Sequence, residues 1–166
     1  MTGHHFAGYS NRFWKLLDES GLVTTPIGAE DDERLPDWGY GITNLVPRAT
    51  SGIDTLAPAE YVAGLRVLRR KVRRWKPDLV ALVGVTLYRV ISGHKGPTRR
   101  PIGLQSERFE GARLFVLPNP SGRNANFSYA EMLRAFRGLR RLLSQTRRPA
   151  LDSGLARQPR AEATRR

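Results

Sequence analysis

The residues best suited to chemistry in this chain form a short polar segment, Asn-Pro-Ser-Gly-Arg-Asn, at residues 119–124. The segment follows an apolar run and precedes a helix-capping pair, so we expect it to be a loop at the end of a buried strand. Its amides and hydroxyl can bind a phosphate or a base edge, and Arg123 is long enough to fill a vacated position in a base stack. The same residue types are typical of an ordinary turn, and composition alone favours that interpretation.

Outside that segment, candidates for chemistry are few. Residues 41–46, Gly-Ile-Thr-Asn-Leu-Val, form a second polar segment, for which a turn leading into a strand is the plainer interpretation. His4, His5 and His94 lack the spacing of a metal site. The chain has no cysteine, no phosphate-binding Gly-rich loop with its lysine and no nucleophile elbow. The lack of cysteine excludes a thiolate zinc site, an iron–sulfur cluster and a cysteine nucleophile.

The charge of the chain favours a polyanionic partner. The chain has 28 Lys and Arg residues against 15 Asp and Glu, a net charge of +13. Arginine accounts for 24 of those bases and lysine for 4. A guanidinium binds phosphate through two donors, so this ratio fits nucleic acid, although a biased genome composition would produce the same ratio.

The basic residues divide the chain into two parts. Residues 144–166 hold six Arg and few apolar side chains, which predicts a disordered basic tail. Residues 1–143 are long enough for one domain. The longest apolar runs are far shorter than the ~20 residues of a membrane helix, and no signal peptide is evident. We expect a cytoplasmic protein without a membrane partner.

The first of four predicted helices has signals at both ends. It covers Phe13–Ser20, where Phe and Leu side chains recur on one face. Ser10 or Asn11 can cap its amino end, and Gly21 can end it in the left-handed conformation. These local signals predict both boundaries of the helix.

The other three helices follow from periodicity and capping residues. One begins at Pro58 and runs to Trp75, with apolar residues at steps of three and four. Its other faces carry arginines, for which a solvated surface is the plainer interpretation and nucleic-acid contact the alternative. A short helix is predicted over residues 85–91. The last follows a capping box of Ser128 and Glu131.

Three apolar runs predict strands. Residues 79–83 and 114–117 are the stronger candidates, and residues 42–46 the weaker one. Continuous apolar runs separated by helices are typical of a mostly parallel sheet covered on both faces. Ligands bind such sheets at the carboxyl ends of the strands, so the loops after these three runs are the candidate site.

Three segments in this order resemble one protein family. Asn-Arg-Phe-Trp at residues 11–14, Gly-Ile-Thr-Asn-Leu-Val at 41–46 and Leu-Pro-Asn-Pro-Ser-Gly at 117–122 are similar to mismatch-specific uracil-DNA glycosylases and their thymine-DNA glycosylase relatives. The similarity covers roughly residues 3–143. The resemblance implies an α/β fold, a three-layer sandwich with a short, mostly parallel central sheet flanked by helices.

The resemblance also implies site roles. Some residues would form the pocket for the extruded base, with Phe6 packing against the pyrimidine, and others would belong to the loop that enters the duplex, with Arg123 as the wedge facing the unpaired guanine. The pocket residues are Phe6, Asn44 and Asn119, and the loop residues are Ser121, Gly122 and Arg123. Plainer alternatives are a core position for Phe6, a turn cap for Asn44 and a solvated charge for Arg123.

The implied reaction is hydrolysis of the N-glycosidic bond of uracil, thymine or another altered pyrimidine mispaired with guanine. It requires no metal or organic cofactor. The partner would be double-stranded DNA with G·U or G·T mispairs, and we expect a monomer associated with the bacterial nucleoid. Two alternatives remain open: a truncated, non-catalytic DNA-binding remnant of this family and a general Arg-rich nucleic-acid binder of unrelated fold.

The catalytic residue is unknown from this sequence. In the family, a catalytic Asn lies in a Gly-Ile/Val-Asn-Pro segment at the end of the first strand, upstream of the position that matches Phe6, and here only residues 1–5 precede Phe6. We expect either that Met1 is not the true start or that the gene is a truncated copy. Reading the DNA upstream of Met1 in frame tests this expectation.

Overall fold

The structure is a computed structural model that describes residues 3–46, 57–93 and 101–146. Its α-helices are α1 (Phe13–Ser20), α2 (Pro58–Trp75), α3 (Val85–Ser92) and α4 (Tyr129–Thr146). Its strands are β1 (Leu79–Val83), β2 (Gly103–Phe109) and β3 (Ala112–Leu117), and a 3₁₀ helix spans Ala29–Trp38. All four predicted helices are confirmed. Helix α4 continues to Thr146, past the predicted start of the tail at residue 144, and residues 147–166 lie outside the described residues.

The sheet has three strands in the order β1-β3-β2. β1 and β3 are parallel, in register from Leu79 opposite Arg113 to Val83 opposite Leu117. β2 and β3 form an antiparallel hairpin, with Glu110 and Gly111 at positive φ in its turn. The sheet is therefore mixed, and its parallel pair consists of the two strands that the sequence predicted most strongly.

The prediction of a strand at residues 42–46 is wrong. Ile42 packs against the hydrophobic core on the α1 and α4 side of the sheet, and Leu45 packs against the core on the α2 side. The Leu45 carbonyl lies so close to α2 that a Cβ at Gly64 would be 2.5 Å from its oxygen. The apolar side chains of this segment thus pack between layers and do not extend the sheet.

Strand β2 was not predicted because it does not have an apolar run. Gly103–Phe109 contains four consecutive polar or charged residues, and Phe109 is its one buried side chain. An edge strand needs few buried side chains, since one of its sides has no neighbour in the sheet. Pairing with the apolar β3 holds it in the fold.

Side chains on the two faces of β3 form two cores. Phe115 and Leu117 pack with α1 and α4, where Leu16 and Phe136 are fully buried. The alternate side chains of β3 face α2 and α3. Helices therefore cover both faces of the sheet, which confirms the predicted α/β sandwich.

The helix boundaries follow the predicted local signals. The N-cap position of α1 is Arg12 and not the predicted Ser10 or Asn11, although the Asn11 Oδ1 atom accepts a hydrogen bond from the Phe13 N–H at 3.0 Å. Gly21 ends α1 with φ of 73°, as predicted. The Ser128 N–H donates to the Glu131 carboxylate at 2.7 Å, which closes the capping box of α4. Among the described residues, no helix combines the length and apolarity needed to cross a bilayer.

Candidate functional site

The carboxyl ends of β1 and β3 bring two loops together. Val83 lies opposite Leu117 in the parallel register, and the Gly84 N–H donates to the Leu117 carbonyl at 2.9 Å. Gly84 has φ of 118°, and a Cβ built there would be 4.0 Å from the Asn119 Cβ, so the two loops lie side by side. The predicted juxtaposition of these loops is confirmed, whereas the loop after residue 46 lies outside the described residues.

Hydrogen bonds within residues 119–124 hold that loop in one shape. The Asn119 Oδ1 atom accepts from the Ser121 N–H at 3.0 Å, and the Ser121 Oγ atom accepts from the Arg123 N–H at 3.3 Å. The Asn124 side-chain amide donates to the Asn119 carbonyl at 2.8 Å. Because these polar groups satisfy one another locally, the loop keeps its shape without a regular element.

The same loop is docked onto the segment that precedes α1. Pro118 and Pro120 are among the fully buried side chains, and the Pro120 carbonyl accepts from the Arg12 N–H at 2.9 Å. A Cβ at Gly122 would lie 2.6 Å from the Ser10 carbonyl oxygen. Only glycine permits this approach, so Gly122 is needed for the loop to dock.

The docked loop leaves its polar side chains accessible. Asn119 and Arg123 are exposed, and Ser121 and Gly122 are half-buried. The loop thus presents an amide and a guanidinium on a backbone that is held at both ends. Such an arrangement can enter a groove or bind phosphate with little loss of conformational entropy.

Phe6 precedes α1, on the segment onto which the loop at residues 119–124 is docked. It has φ of 53°, which is unusual for a large residue, and its ring stacks on Phe13 at 4.1 Å between centroids. The ring is half-buried and packs against the core. The predicted core contact and a free surface for a ligand are therefore both compatible with its position.

Asp32 anchors the amino-terminal segment. Its carboxylate accepts from the His5 N–H at 3.0 Å and lies 3.0 Å from the His5 Nδ1 atom, with the His4 ring at 3.4 Å. The hydrogen bond from the His5 backbone, followed by that from its ring, lowers the pKa of Asp32 to about 2. No group of three or more His, Cys, Asp or Glu suited to a metal occurs within the described ranges.

Asp32 should make the stability of the fold depend on pH in the acid range. Because its native pKa of about 2 lies below the ordinary 3.8, its stabilisation is complete above pH 3.8 and is lost as the pH falls towards 2. The Asp32→Asn variant should therefore lose less stability than wild type over that interval. Urea unfolding at several pH values measures this, and equal losses in the two proteins would contradict it.

Asn44 lies on the segment that contacts α2. It is exposed, and its neighbour Thr43 accepts a hydrogen bond from the Lys71 ammonium on α2 at 2.6 Å. The hydrogen bonds of the described residues do not join Asn44 to the loop at residues 119–124. The structure therefore docks the loop at residues 119–124 onto the segment that contains Phe6, and the neighbour of Asn44, Thr43, contacts α2.

Sequence reasoning missed three positions that build the site. Ser10 approaches Gly122 through its carbonyl and its side chain, and Asp32 lies in a 3₁₀ helix 27 positions after His5, so neither had a signal in the sequence as a site residue. Gly84 had one, since a glycine directly after a buried strand is typical of a close backbone approach.

The model of the uracil DNA glycosylase superfamily matches residues 1–140. A G/U mismatch-specific uracil DNA glycosylase from Schizosaccharomyces pombe is 37% identical over 135 residues. That match covers 77% of this chain and 42% of the relative, so the chain spans about two fifths of the relative's length.

Proposed function

Because this chain belongs to the uracil DNA glycosylase superfamily, we propose that the whole protein excises uracil mispaired with guanine. The reaction is hydrolysis of the bond between the base and C1′ of deoxyribose, the first step of base-excision repair. The relative that is 37% identical is a G/U mismatch-specific uracil DNA glycosylase, which supports the proposal. The net charge of +13 supports DNA as the partner.

The main support for the proposal is the conformation of the loop at residues 119–124. Its backbone is held by the buried Pro118 and Pro120 and by the contact of Gly122 with Ser10, and Arg123 is exposed on it. In the proposed complex, Ser121 and Gly122 enter the duplex with Arg123. The guanidinium fills the position that the extruded uracil vacates and faces the unpaired guanine.

The base would then lie beside the loop, in a pocket formed by Phe6, Asn44 and Asn119. The free side of the Phe6 ring stacks on the pyrimidine, and the amides of Asn44 and Asn119 bind its polar edge. The bond from C1′ to the base breaks, the base leaves as an anion held by amide donors, and water adds to C1′ while the base takes up a proton. No residue of this chain is assigned to the attacking water.

Selectivity in this proposal begins before any contact with the pocket. A G·U wobble pair is weaker than a Watson–Crick pair, so extrusion of its uracil costs less free energy. We include thymine and other altered pyrimidines opposite guanine among the substrates. One subunit is sufficient for base extrusion, so we propose a monomer that acts on the DNA of the cytoplasmic nucleoid.

An excision assay with the full-length protein tests the proposal. Duplexes with G·U, G·T and A·U pairs and single-stranded uracil DNA are incubated with the protein, and the released base is measured. We expect release from G·U to be faster than from the other substrates. Binding of all four substrates without release of any base would overturn the proposal and favour the non-catalytic remnant.

A further inference from the structure

We infer that the outer face of α4 is a second nucleic-acid contact surface, which binds the phosphates of DNA beside the loop at residues 119–124. The surface, here called the basic ridge, contains four exposed arginines, Arg134, Arg137, Arg140 and Arg141. The inference rests on the proposed function for the identity of the partner. It concerns a face of the molecule outside the proposed base pocket.

The basic ridge lines a groove without a carboxylate. The groove lies between α4 and the end of α1, and its other lining residues are Ser20, Ala130 and Leu133. Arg134, Arg137 and Arg141 have no ion pair with an acid from the described residues. Within the described part of the chain, no carboxylate neutralises these three guanidiniums, so they can bind an anion.

The spacing of these arginines places them on one side of the helix. Residues three, four and seven positions apart share a helix face, so Arg137 is next to both Arg134 and Arg141. Like charges at this spacing repel each other and destabilise a helix. A polyanion bound along the groove would remove that repulsion.

Arg140 has a structural role and is distinct from the other three. Its Nε atom donates to the Gly21 carbonyl at 3.0 Å, at the carboxyl end of α1. A cation at this position satisfies a free carbonyl and interacts favourably with the helix dipole. Arg140 therefore joins α1 to α4, and it is left unchanged in the test below.

The basic ridge is continuous with the loop that we propose enters DNA. Helix α4 begins at Tyr129, shortly after the loop, and the Arg12 and Lys15 cations lie 5.9 and 5.3 Å from the Tyr129 ring. Glu19 is an acidic residue beside Tyr129. Its carboxylate accepts a hydrogen bond from the Tyr129 hydroxyl at 2.8 Å and forms an ion pair with Lys15 at 3.6 Å. Positive charge thus extends from the loop along α4.

The arginines of α2 differ in their surroundings. Arg69 and Arg73 both bind the Glu110 carboxylate, and these guanidiniums, Arg73 first, lower the pKa of Glu110. Part of that face is therefore neutralised within the protein. Arg66, Arg70 and Arg74 are also exposed on α2, and they provide a matched control with the same change in charge.

The test compares the salt dependence of DNA binding in two triple variants. Arg134→Gln, Arg137→Gln and Arg141→Gln are combined in one protein, and Arg66→Gln, Arg70→Gln and Arg74→Gln are combined in the other. Each full-length protein is titrated with an unmodified duplex at a series of KCl concentrations, and anisotropy gives the dissociation constant. Far-UV circular dichroism and thermal unfolding verify that both variants fold.

Each phosphate contact contributes about 0.9 to the slope of log K against log salt concentration. The basic-ridge variant should therefore have a slope smaller than wild type by about 2 to 3, and the α2 variant a slope within about 1 of wild type. Equal changes in the two variants, or none in the first, would overturn the inference. Uracil release from G·U by wild type is measured separately, so failure of the proposed function is distinguished from failure of the basic ridge.

Discussion

Replacing Arg123 with alanine should slow uracil release from a G·U duplex by about 10- to 100-fold, since base extrusion costs a few kcal/mol and each 1.36 kcal/mol is tenfold in rate. Without the guanidinium, nothing fills the vacated position and the base returns to the stack. Uracil in single-stranded DNA is not base-paired, so no wedge is needed to keep it out of a duplex. Its release should therefore change much less. Single-turnover excision on the two substrates measures the difference.

Two controls make this expectation specific. Arg123→Lys retains the charge without the planar guanidinium, so it should recover only part of the activity on the duplex. Arg89→Ala removes an exposed arginine near the end of α3 and should leave both rates close to wild type. If Arg123→Ala slows both substrates by the same factor, Arg123 contributes general affinity and is not a wedge.

Replacing Phe136 with alanine should lower the free energy of unfolding by about 3 to 5 kcal/mol, because it removes a large buried ring. Phe136 is 0% exposed and lies under the first turn of α1, with its ring 6.1 Å from that of Phe13. The loss is a large part of the ~5 to 15 kcal/mol that stabilises an ordinary domain. Denaturant unfolding should show a lower midpoint.

The matched control for stability is Leu104→Ala. Leu104 is 50% exposed on the edge strand β2, so its truncation should cost no more than about 0.5 kcal/mol. Because Phe13 also stacks on Phe6, the Phe136→Ala variant should loosen the amino-terminal segment as well. A midpoint equal to that of Leu104→Ala would contradict the central place of Phe136 in the core.

The helices could be predicted because their signals are local. Asn11 and Gly21 at the ends of α1, and Ser128 with Glu131 at the start of α4, satisfy or end backbone hydrogen bonding within a few residues. The strands β1 and β3 could be predicted because continuous apolar runs require burial on both faces. These features depend on neighbours in the sequence, so they need no knowledge of distant contacts.

The errors concern segments whose conformation depends on distant partners. Residues 42–46 have the composition of a strand, yet Leu45 packs on α2 beside Gly64. Gly103–Phe109 has a polar composition, yet β3 pairs with it. In both cases a contact with a distant segment outweighs the local secondary-structure propensity.

Part of the candidate site could likewise be predicted from the sequence, and part depends on contacts between distant residues. The residue types at 119–124 and the apolar run before them were sufficient to predict a polar loop at the carboxyl edge of the sheet. Its docking through Gly122 onto Ser10, and the anchoring of His5 by Asp32, join residues 112 and 27 positions apart. A sequence pattern reports hydrogen bonding and burial along the chain, whereas contacts at such separations exist only once the layers pack, so only the tertiary structure could decide them.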